Sequence, residues 1–276
     1  MHNPTTSWVN GALVDSTRAA VSVLDHGLTT GDGVFETMKV VDGRPFALTR
    51  HLDRLTRSAR GLGLPDPDHD LVRRACAEVL AADPVPLGRL RVTYTGGVAP
   101  LGSERGTDGP TLVAALGAIT RRPDETGVAV VPWRRNEHSA VVGLKTTSYA
   151  ENVVALAAAH RAGASEALFA NTAGRLCEGT GSNVFLVLGG RLLTPPLASG
   201  CLAGITRQLV LDWCGAEEAD LPLDALRDAE EVFLTSSTRD VQAVTRVDDR
   251  ELPGPGPVTA KAMAVFAERS GDDLDP

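Results

Sequence analysis

Apolar residues recur along the chain in two rhythms. In residues 48–63, Leu48, Leu52, Leu55 and Ala59 fall on one face of a helix. Leu71, Ala75, Val79 and Leu80 repeat the spacing and predict a second helix from Asp70 to Ala82. Around these lie β-type segments. Trp8-Val9-Asn10-Gly11 turns into Ala12-Leu13-Val14, and Val34 to Val41 is a longer β-rich run that stops at the hairpin signal Asp42-Gly43. Leu90 to Thr95 and Thr111 to Leu116 read as further strands. Together they predict a small α+β domain over residues 1–117.

Residues 118–127 are expected to be a linker, because Thr120 to Gly127 is polar and turn-rich. A larger domain is expected over 128–276. It opens with a strand at Val128 to Val131 and continues with a helix from Ala150 to Ala162. Strands follow at Glu166 to Ala170, Arg175 to Cys177 and Asn183 to Val187, then a helix opened by Gly204 and running to about Cys214. Val232 to Thr235 reads as a strand and Val258 to Glu268 as the closing helix. The tail from Ser270 to Pro276 is expected to be mobile.

Length and composition narrow the class. At 276 residues, with 43% hydrophobic and 22% charged residues, the chain reads as a soluble globular protein that can bury a sizeable core. A net charge of −8 argues against a nucleic-acid surface, though not against a local basic pocket for an anionic ligand. The start, MHNPTTSWVNG, lacks the basic-then-apolar order of a signal peptide, and no apolar run reaches membrane-spanning length. Cys76, Cys177, Cys201 and Cys214 show no paired spacing and read as reduced, mostly buried thiols of a cytoplasmic protein. The histidines are scattered, so no metal site is expected.

Chemistry is suggested by a few residues, each of which also fits a plain structural role. Lysine is scarce: Lys39, Lys145 and Lys261 are the only three. Lys145 follows Val141-Val142-Gly143-Leu144, and an amine desolvated beside an apolar run suits Schiff-base chemistry, although a surface lysine with a buried stem reads the same way. Glu178 lies in a Gly-containing turn between apolar strands, which suits either a cofactor contact or a solvated hairpin acid. The loop from Gly200 to Gly204 runs into a helix that starts Ile205-Thr206-Arg207. Its free N–H groups suit a phosphate, as they suit any capped helix. The hydroxyl cluster Thr235 to Thr238 could serve the same anion, and Arg54 could bind phosphate or simply lie on the surface.

The order of these features resembles the class IV aminotransferases. The resemblance rests on Asp25-His26-Gly27, Gly31-Asp32-Gly33-Val34-Phe35-Glu36, His51-Leu52-Asp53-Arg54-Leu55, Lys145, Glu178-Gly179 with Ser182-Asn183-Val184-Phe185, and Gly204-Ile205-Thr206-Arg207. It implies a two-domain α+β architecture of pyridoxal-phosphate fold type IV, similar to D-amino-acid aminotransferase, with a barrel-like sheet in the larger domain and a homodimeric assembly. It implies that Lys145 carries pyridoxal 5'-phosphate and shuttles protons, that Glu178 contacts the ring nitrogen, and that Tyr149 contacts the phenolic oxygen. Arg54, the amides of Ile205 and Thr206, and a hydroxyl of Ser236 or Ser237 are implied for the phosphate, with Gly204 counted among the cofactor-binding residues. Ser182 and Asn183 are counted with the cofactor turn, and Thr30 and Phe35 with the substrate pocket.

Within the family, D-amino-acid enzymes carry an arginine and a histidine in a loop that here resembles Thr95 to Ser103 and has neither. Branched-chain enzymes carry a tyrosine where this chain has Thr30 and a glycine where it has Thr37. The 4-amino-4-deoxychorismate lyases resemble the chain in having a threonine at Thr37. That match implies a lyase in which Lys145, with Thr37 close by, removes a ring proton, pyruvate is expelled and 4-aminobenzoate, a folate precursor, remains. Arg91, Arg105 and Arg134 are open candidates for the substrate's carboxylates. The alternative is a transaminase acting on D-amino acids, branched-chain amino acids or amines.

Overall fold

The computed structural model describes residues 5–18 and 20–276. The chain forms two compact units, one of Met1–Arg121, Leu144–Ser148 and Leu274–Pro276, the other of Arg122–Gly143 and Tyr149–Asp273.

In the first unit, Asn10 takes a left-handed φ of 45° and closes a hairpin between β1 (Thr6–Val9) and β2 (Ala12–Asp15). A short helix α1 (His26–Thr29) leads into β3 (Gly33–Val41), which turns at Asp42-Gly43 into β4 (Arg44–Pro45). Helices α2 (Leu48–Leu62) and α3 (His69–Ala82) follow, then β5 (Leu87–Thr95) and β6 (Thr111–Ala118). The six strands run β2-β1-β6-β5-β3-β4, antiparallel throughout. Strand alternation sends Val34, Met38 and Val40, with Leu90 and Val92, into a core shared with Leu52, Leu55, Ala59, Val72 and Val79 of the two helices. Each of the Val, Leu and Met side chains contributes about 1.5–3 kcal/mol by leaving water. The other face of β3 carries Phe35, Thr37 and Lys39, in register with Thr93, Arg91 and Arg89 of β5.

The second unit contains β7 (Glu125–Arg135), α4 (Ala150–Arg161), β8 (Glu166–Asn171), β9 (Leu176–Gly179), β10 (Asn183–Leu188) and β11 (Arg191–Thr194). It continues with α5 (Ile205–Cys214), β12 (Glu217–Glu218), α6 (Ala225–Asp228), β13 (Glu231–Ser236), β14 (Asp240–Val247), β15 (Arg250–Glu251) and α7 (Pro257–Asp272). The strand order is β12-β11-β10-β13-β14-β7-β8-β9, with β15 beside β14. The β11–β12, β14–β7 and β7–β8 pairs are parallel. β9 ends the order while β10 lies in its other half, yet Gly179 N–H donates to Ser182 O at 2.7 Å across the turn that joins them. The sheet therefore curls into a half-barrel, in line with the barrel-like sheet that the resemblance implies. Val184, Leu186, Val232, Leu234 and Val244 fill one of its cores, while Ala155 and Ala159 of α4 pack with Val131 and Phe169 in another.

Three expectations change. Strand β7 starts at Glu125, inside the expected linker, because Glu125 to Val128 pair with Ala243 to Val247. Lys145, expected in the larger domain, belongs with its neighbours to the first unit. The tail is held rather than mobile. Ala47, which caps the start of α2, has a left-handed φ of 54° and no side-chain cap to offer. Asp275 supplies that cap, accepting the Thr49 N–H at 2.8 Å and the Thr49 hydroxyl at 2.6 Å. Leu274 O accepts the Ala47 N–H, and Pro276 O accepts from Arg50 Nε, each at 2.6 Å.

Cys76, Cys177 and Cys201 are buried free thiols and Cys214 is half-buried. Burial pushes the Cys76 thiol up to about 12 and Cys201 to about 11, so neither is a nucleophile at neutral pH. Among the described residues, no helix is long and apolar enough to cross a membrane.

Candidate active site

In the first unit, Leu144–Ser148 runs along the start of β3. Phe35 N–H donates to Lys145 O at 2.9 Å, and Thr147 N–H donates to Gly33 O at 2.8 Å. Gly31, with a φ of 73°, makes the close approach possible: a Cβ there would meet Ser148 Oγ at 2.5 Å. Lys145 N–H also donates to Ser58 Oγ on α2 at 3.2 Å. The backbone of Lys145 is thus fixed from two sides. Its Nζ lies 4.2 Å from the Phe35 ring centroid, and the Arg91 guanidinium carbon lies 3.8 Å from the same centroid. Val141 and Val142, from the apolar run that precedes Lys145 in sequence, are 38% and 37% exposed. The Phe35 ring is the apolar surface the amine meets. Thr37 is half-buried on this face, opposite Arg91, whereas Thr30 is exposed and spends its hydroxyl on His26 O at 2.9 Å.

Glu36 points the other way, under α2. It is fully buried and accepts from Arg54 Nε at 2.8 Å, Arg54 Nη2 at 2.7 Å and His51 Nδ1 at 2.6 Å. Burial alone would raise the Glu36 carboxyl, but the Arg54 charge and the hydrogen bonds from Arg54 and His51 hold it well below the usual carboxylate range. Burial pushes His51 down, against the pull of Glu36. His51, Arg54 and Ser58 thus form a polar stripe on a helix that is otherwise apolar on its buried side. The expected phosphate ligand Arg54 is buried, and its Nε–Nη2 edge is oriented by Glu36.

A second polar cluster fixes the loop that follows β5. Arg105 donates to both Asp32 oxygens at 2.7 and 2.6 Å and to the carbonyls of Gly63 and Leu62 at 2.7 Å each. His26 bridges Asp32 at 3.1 Å and Gly102 O at 3.0 Å. Arg105, a candidate for the substrate carboxylate, is therefore committed to holding the end of α2 and this loop. The candidate Arg134 is exposed on β7, in the second unit.

In the second unit, Glu178 is held rather than solvated. One of its oxygens accepts the Leu202 N–H at 2.9 Å, and the other lies 3.5 Å from Arg135 Nε. Arg135 in turn stacks on Phe169 with its guanidinium carbon 4.2 Å from the ring centroid. Asn183 donates to Leu202 O at 2.9 Å, and a Cβ on Gly204 would fall 2.0 Å from Asn183 Oδ1, so this position needs glycine. Gly204 begins α5 without a side-chain cap, and the first helical bond runs from Gln208 N–H to Gly204 O. The N–H groups of Ile205, Thr206 and Arg207 therefore have no acceptor within the helix and carry its positive dipole end. Ser236 and Ser237 are half-buried where β13 ends, and Tyr149 is half-buried at the start of α4.

The turn after Glu178 rests on residues that pattern reading did not single out. Buried Glu166 accepts from Thr180 N–H at 3.0 Å, from the Thr180 hydroxyl, from Ser182 Oγ at 3.0 Å and from Arg239 Nη2 at 3.3 Å. Ser182, counted with the cofactor contacts, turns its hydroxyl to Glu166. Asn152 of α4 donates to Thr180 O from the other side. The signal in the sequence was a carboxylate opening an apolar strand, Glu166 before Ala167-Leu168-Phe169-Ala170.

The residues present suit pyridoxal phosphate. Uncapped helix N–H groups answer an anion, a held carboxylate answers a ring nitrogen, and a lysine against an aromatic face answers an aldehyde. Fold and chemistry together define a pyridoxal-phosphate enzyme of fold type IV. The family model for amino-transferase class IV matches residues 33–247, and the chain belongs to that family. It is 32% identical over 273 residues to a candidate branched-chain-amino-acid aminotransferase of Methanocaldococcus jannaschii, covering 95% of each chain. It is 34% identical over 255 residues to a bifunctional aminodeoxychorismate lyase / D-amino acid transaminase of Mycobacterium tuberculosis, covering 83% of this chain and 86% of that one. Its fold superposes with a TM-score of 0.89, at 26% identity and over 97% of this chain and 94% of that one, on the T.th. branched-chain amino acid aminotransferase complexed with N-(5'-phosphopyridoxyl)-L-glutamate.

Proposed function

We propose that the chain is a transaminase moving an amino group from a branched-chain or D-amino acid to a 2-oxo acid. The observation that carries this reading is the shared Phe35 ring, with the Lys145 amine 4.2 Å and the Arg91 guanidinium 3.8 Å from its centroid. A guanidinium on the same ring that the reactive amine meets offers a fork for the carboxylate of an amino acid. With Arg105 bound to Asp32, Arg91 is the arginine assigned to that carboxylate. When bound, pyridoxal phosphate supplies an electron sink. Lys145 removes and returns the proton on the amino-bearing carbon. Glu178 would contact the ring nitrogen and favour its protonated form, and Tyr149 would contact the phenolic oxygen. Arg54, the Ile205 and Thr206 amides and Ser236 or Ser237 would hold the phosphate, and glycine at position 204 leaves room for the Asn183 side chain. Two relatives named for branched-chain and D-amino acid substrates support the choice of donor. The homodimer implied by the sequence belongs to the same reading, and sedimentation equilibrium tests it.

The deciding experiment is steady-state transfer from branched-chain L-amino acids and D-alanine to 2-oxoglutarate. Arg91→Leu is expected to raise the KM for the amino acid about tenfold to a hundredfold, since a charge-assisted hydrogen bond contributes about 1.5–3 kcal/mol. Turnover of a simple amine that lacks a carboxylate should be unchanged. Equal losses for both donors would remove Arg91 from the carboxylate site.

A lyase acting on 4-amino-4-deoxychorismate is the second reading. It is favoured by Thr37 beside Arg91 and by the bifunctional relative. In that case the purified enzyme forms 4-aminobenzoate, and Thr37→Val, which keeps the shape and removes the hydroxyl, slows this at least about tenfold. Brisk transamination with no 4-aminobenzoate eliminates the lyase.

A further inference from the structure

The second unit holds a buried ion pair, Glu166 with Arg239, that no step of the proposed reaction uses. Glu166 is 1% exposed and the Arg239 side chain 5%. Removing two charges from water is costly, and the pair does not offset that cost by hydrophobic packing. What it holds explains its presence. On the Glu166 side, Thr180 N–H, the Thr180 hydroxyl and Ser182 Oγ all donate to the carboxylate. These residues form the turn between Glu178 and Asn183. On the Arg239 side, the guanidinium donates to Gln242 Oε1 at 2.6 Å and to Ser165 O at 3.3 Å, and Gln242 donates to Pro123 O at 2.6 Å. Arg239 closes the turn that follows Ser236 and Ser237, with its N–H bonded to Ser236 O at 3.1 Å. One ion pair, 3.3 Å from nitrogen to oxygen, therefore ties the Glu178 turn to the Ser236–Ser237 turn.

We propose that Glu166 and Arg239 are positioning residues that clamp the loop for the cofactor's ring nitrogen to the loop for its phosphate. The proposal rests on the assignment of those two loops given above. The pair touches no substrate and no cofactor. Its work is to fix a spacing, so that a ligand bridging both loops meets them already ordered. The clamp matters to such a ligand and not to a fragment that occupies one loop alone.

The test uses the apoenzyme and three probes: pyridoxal 5'-phosphate, which spans both loops, pyridoxal, which lacks the phosphate, and inorganic phosphate. Glu166→Gln and Arg239→Gln are each expected to weaken pyridoxal phosphate about tenfold, and to change the visible circular dichroism of the bound cofactor. Pyridoxal and phosphate affinities should stay within about twofold of wild type. The double variant should be no worse than either single one, because both remove the same link. Unchanged pyridoxal phosphate affinity, or equal losses for all three probes, overturns the clamp and leaves a pair that merely stabilises the fold. Should the charge variants fail to fold, Ser182→Ala removes one of the bonds to Glu166 without stranding a charge, and the same contrast is read at about threefold. Glu178→Gln and Ser237→Ala are the controls for the underlying assignment: if neither alters cofactor binding or its spectrum, the loop assignment has failed rather than the clamp.

Discussion

Lys145→Ala is expected to abolish turnover while leaving the fold intact. The hydrogen bonds that fix this position, from Phe35 N–H and to Ser58 and Gly33, are made by the backbone of residues 145 and 147 or by other side chains, so truncation does not break them. What is lost is the amine against the Phe35 ring. A positioned proton carrier alone contributes about 10²- to 10⁴-fold, and loss of the covalent link to the cofactor adds to that. Borohydride reduction of the wild-type holoenzyme, followed by peptide mapping, should place the label on Lys145. A label on Lys39 or Lys261, or a variant that keeps a tenth of wild-type turnover, would sink the assignment. Lys39 is a useful contrast, because it shares the β3 face with Phe35 but lies 5.6 Å over a different ring, that of Phe46.

The parts of the fold that repeat locally were legible in the sequence. The spacing of Leu48, Leu52, Leu55 and Ala59 gave α2, and the glycine before Ile205 marked the start of α5. Strand β14 was not legible, because Gln242, Thr245 and Arg246 interrupt its apolar alternation. Gln242 is buried only because Arg239 and Pro123 satisfy it, and those partners are invisible to a local pattern. The same limit explains the tail. Asp275 caps a helix 226 residues away in sequence, a bond that no window of neighbouring residues reveals. Glu36 occupies an inward register between Val34 and Met38, but an acid within an apolar strand does not by itself read as buried. What the pattern could not supply was its partners on α2. The motif residues were legible as an ordered set, while their division of labour was not. Asp32 and His26 hold a loop, and Ser182 supports a turn.

Glu36→Ala is expected to be the most damaging single substitution to stability in the first unit. It leaves the Arg54 guanidinium buried without its carboxylate and deprives His51 of its acceptor. Breaking a buried pair by removing one partner costs about 3–5 kcal/mol, a large share of the stability of a typical domain. Urea unfolding of the apoenzyme measures it, and a loss under about 1 kcal/mol would show that the cluster is a passenger. Acid should act on the same cluster in two windows. His51 is held down in the fold, so below its unfolded value of about 6.5 the unfolded chain binds the extra proton and stability falls as pH drops. Glu36 is also held down, so its contribution is present above the unfolded value of about 4.3 and is lost progressively as pH falls toward its folded value. Both slopes have the same sign: acidification destabilises. Glu36→Gln should flatten the lower window, at a stability already reduced by the missing charge. A variant that retains the full wild-type acid slope below about pH 4.3 would mean that other carboxylates, and not Glu36, set it.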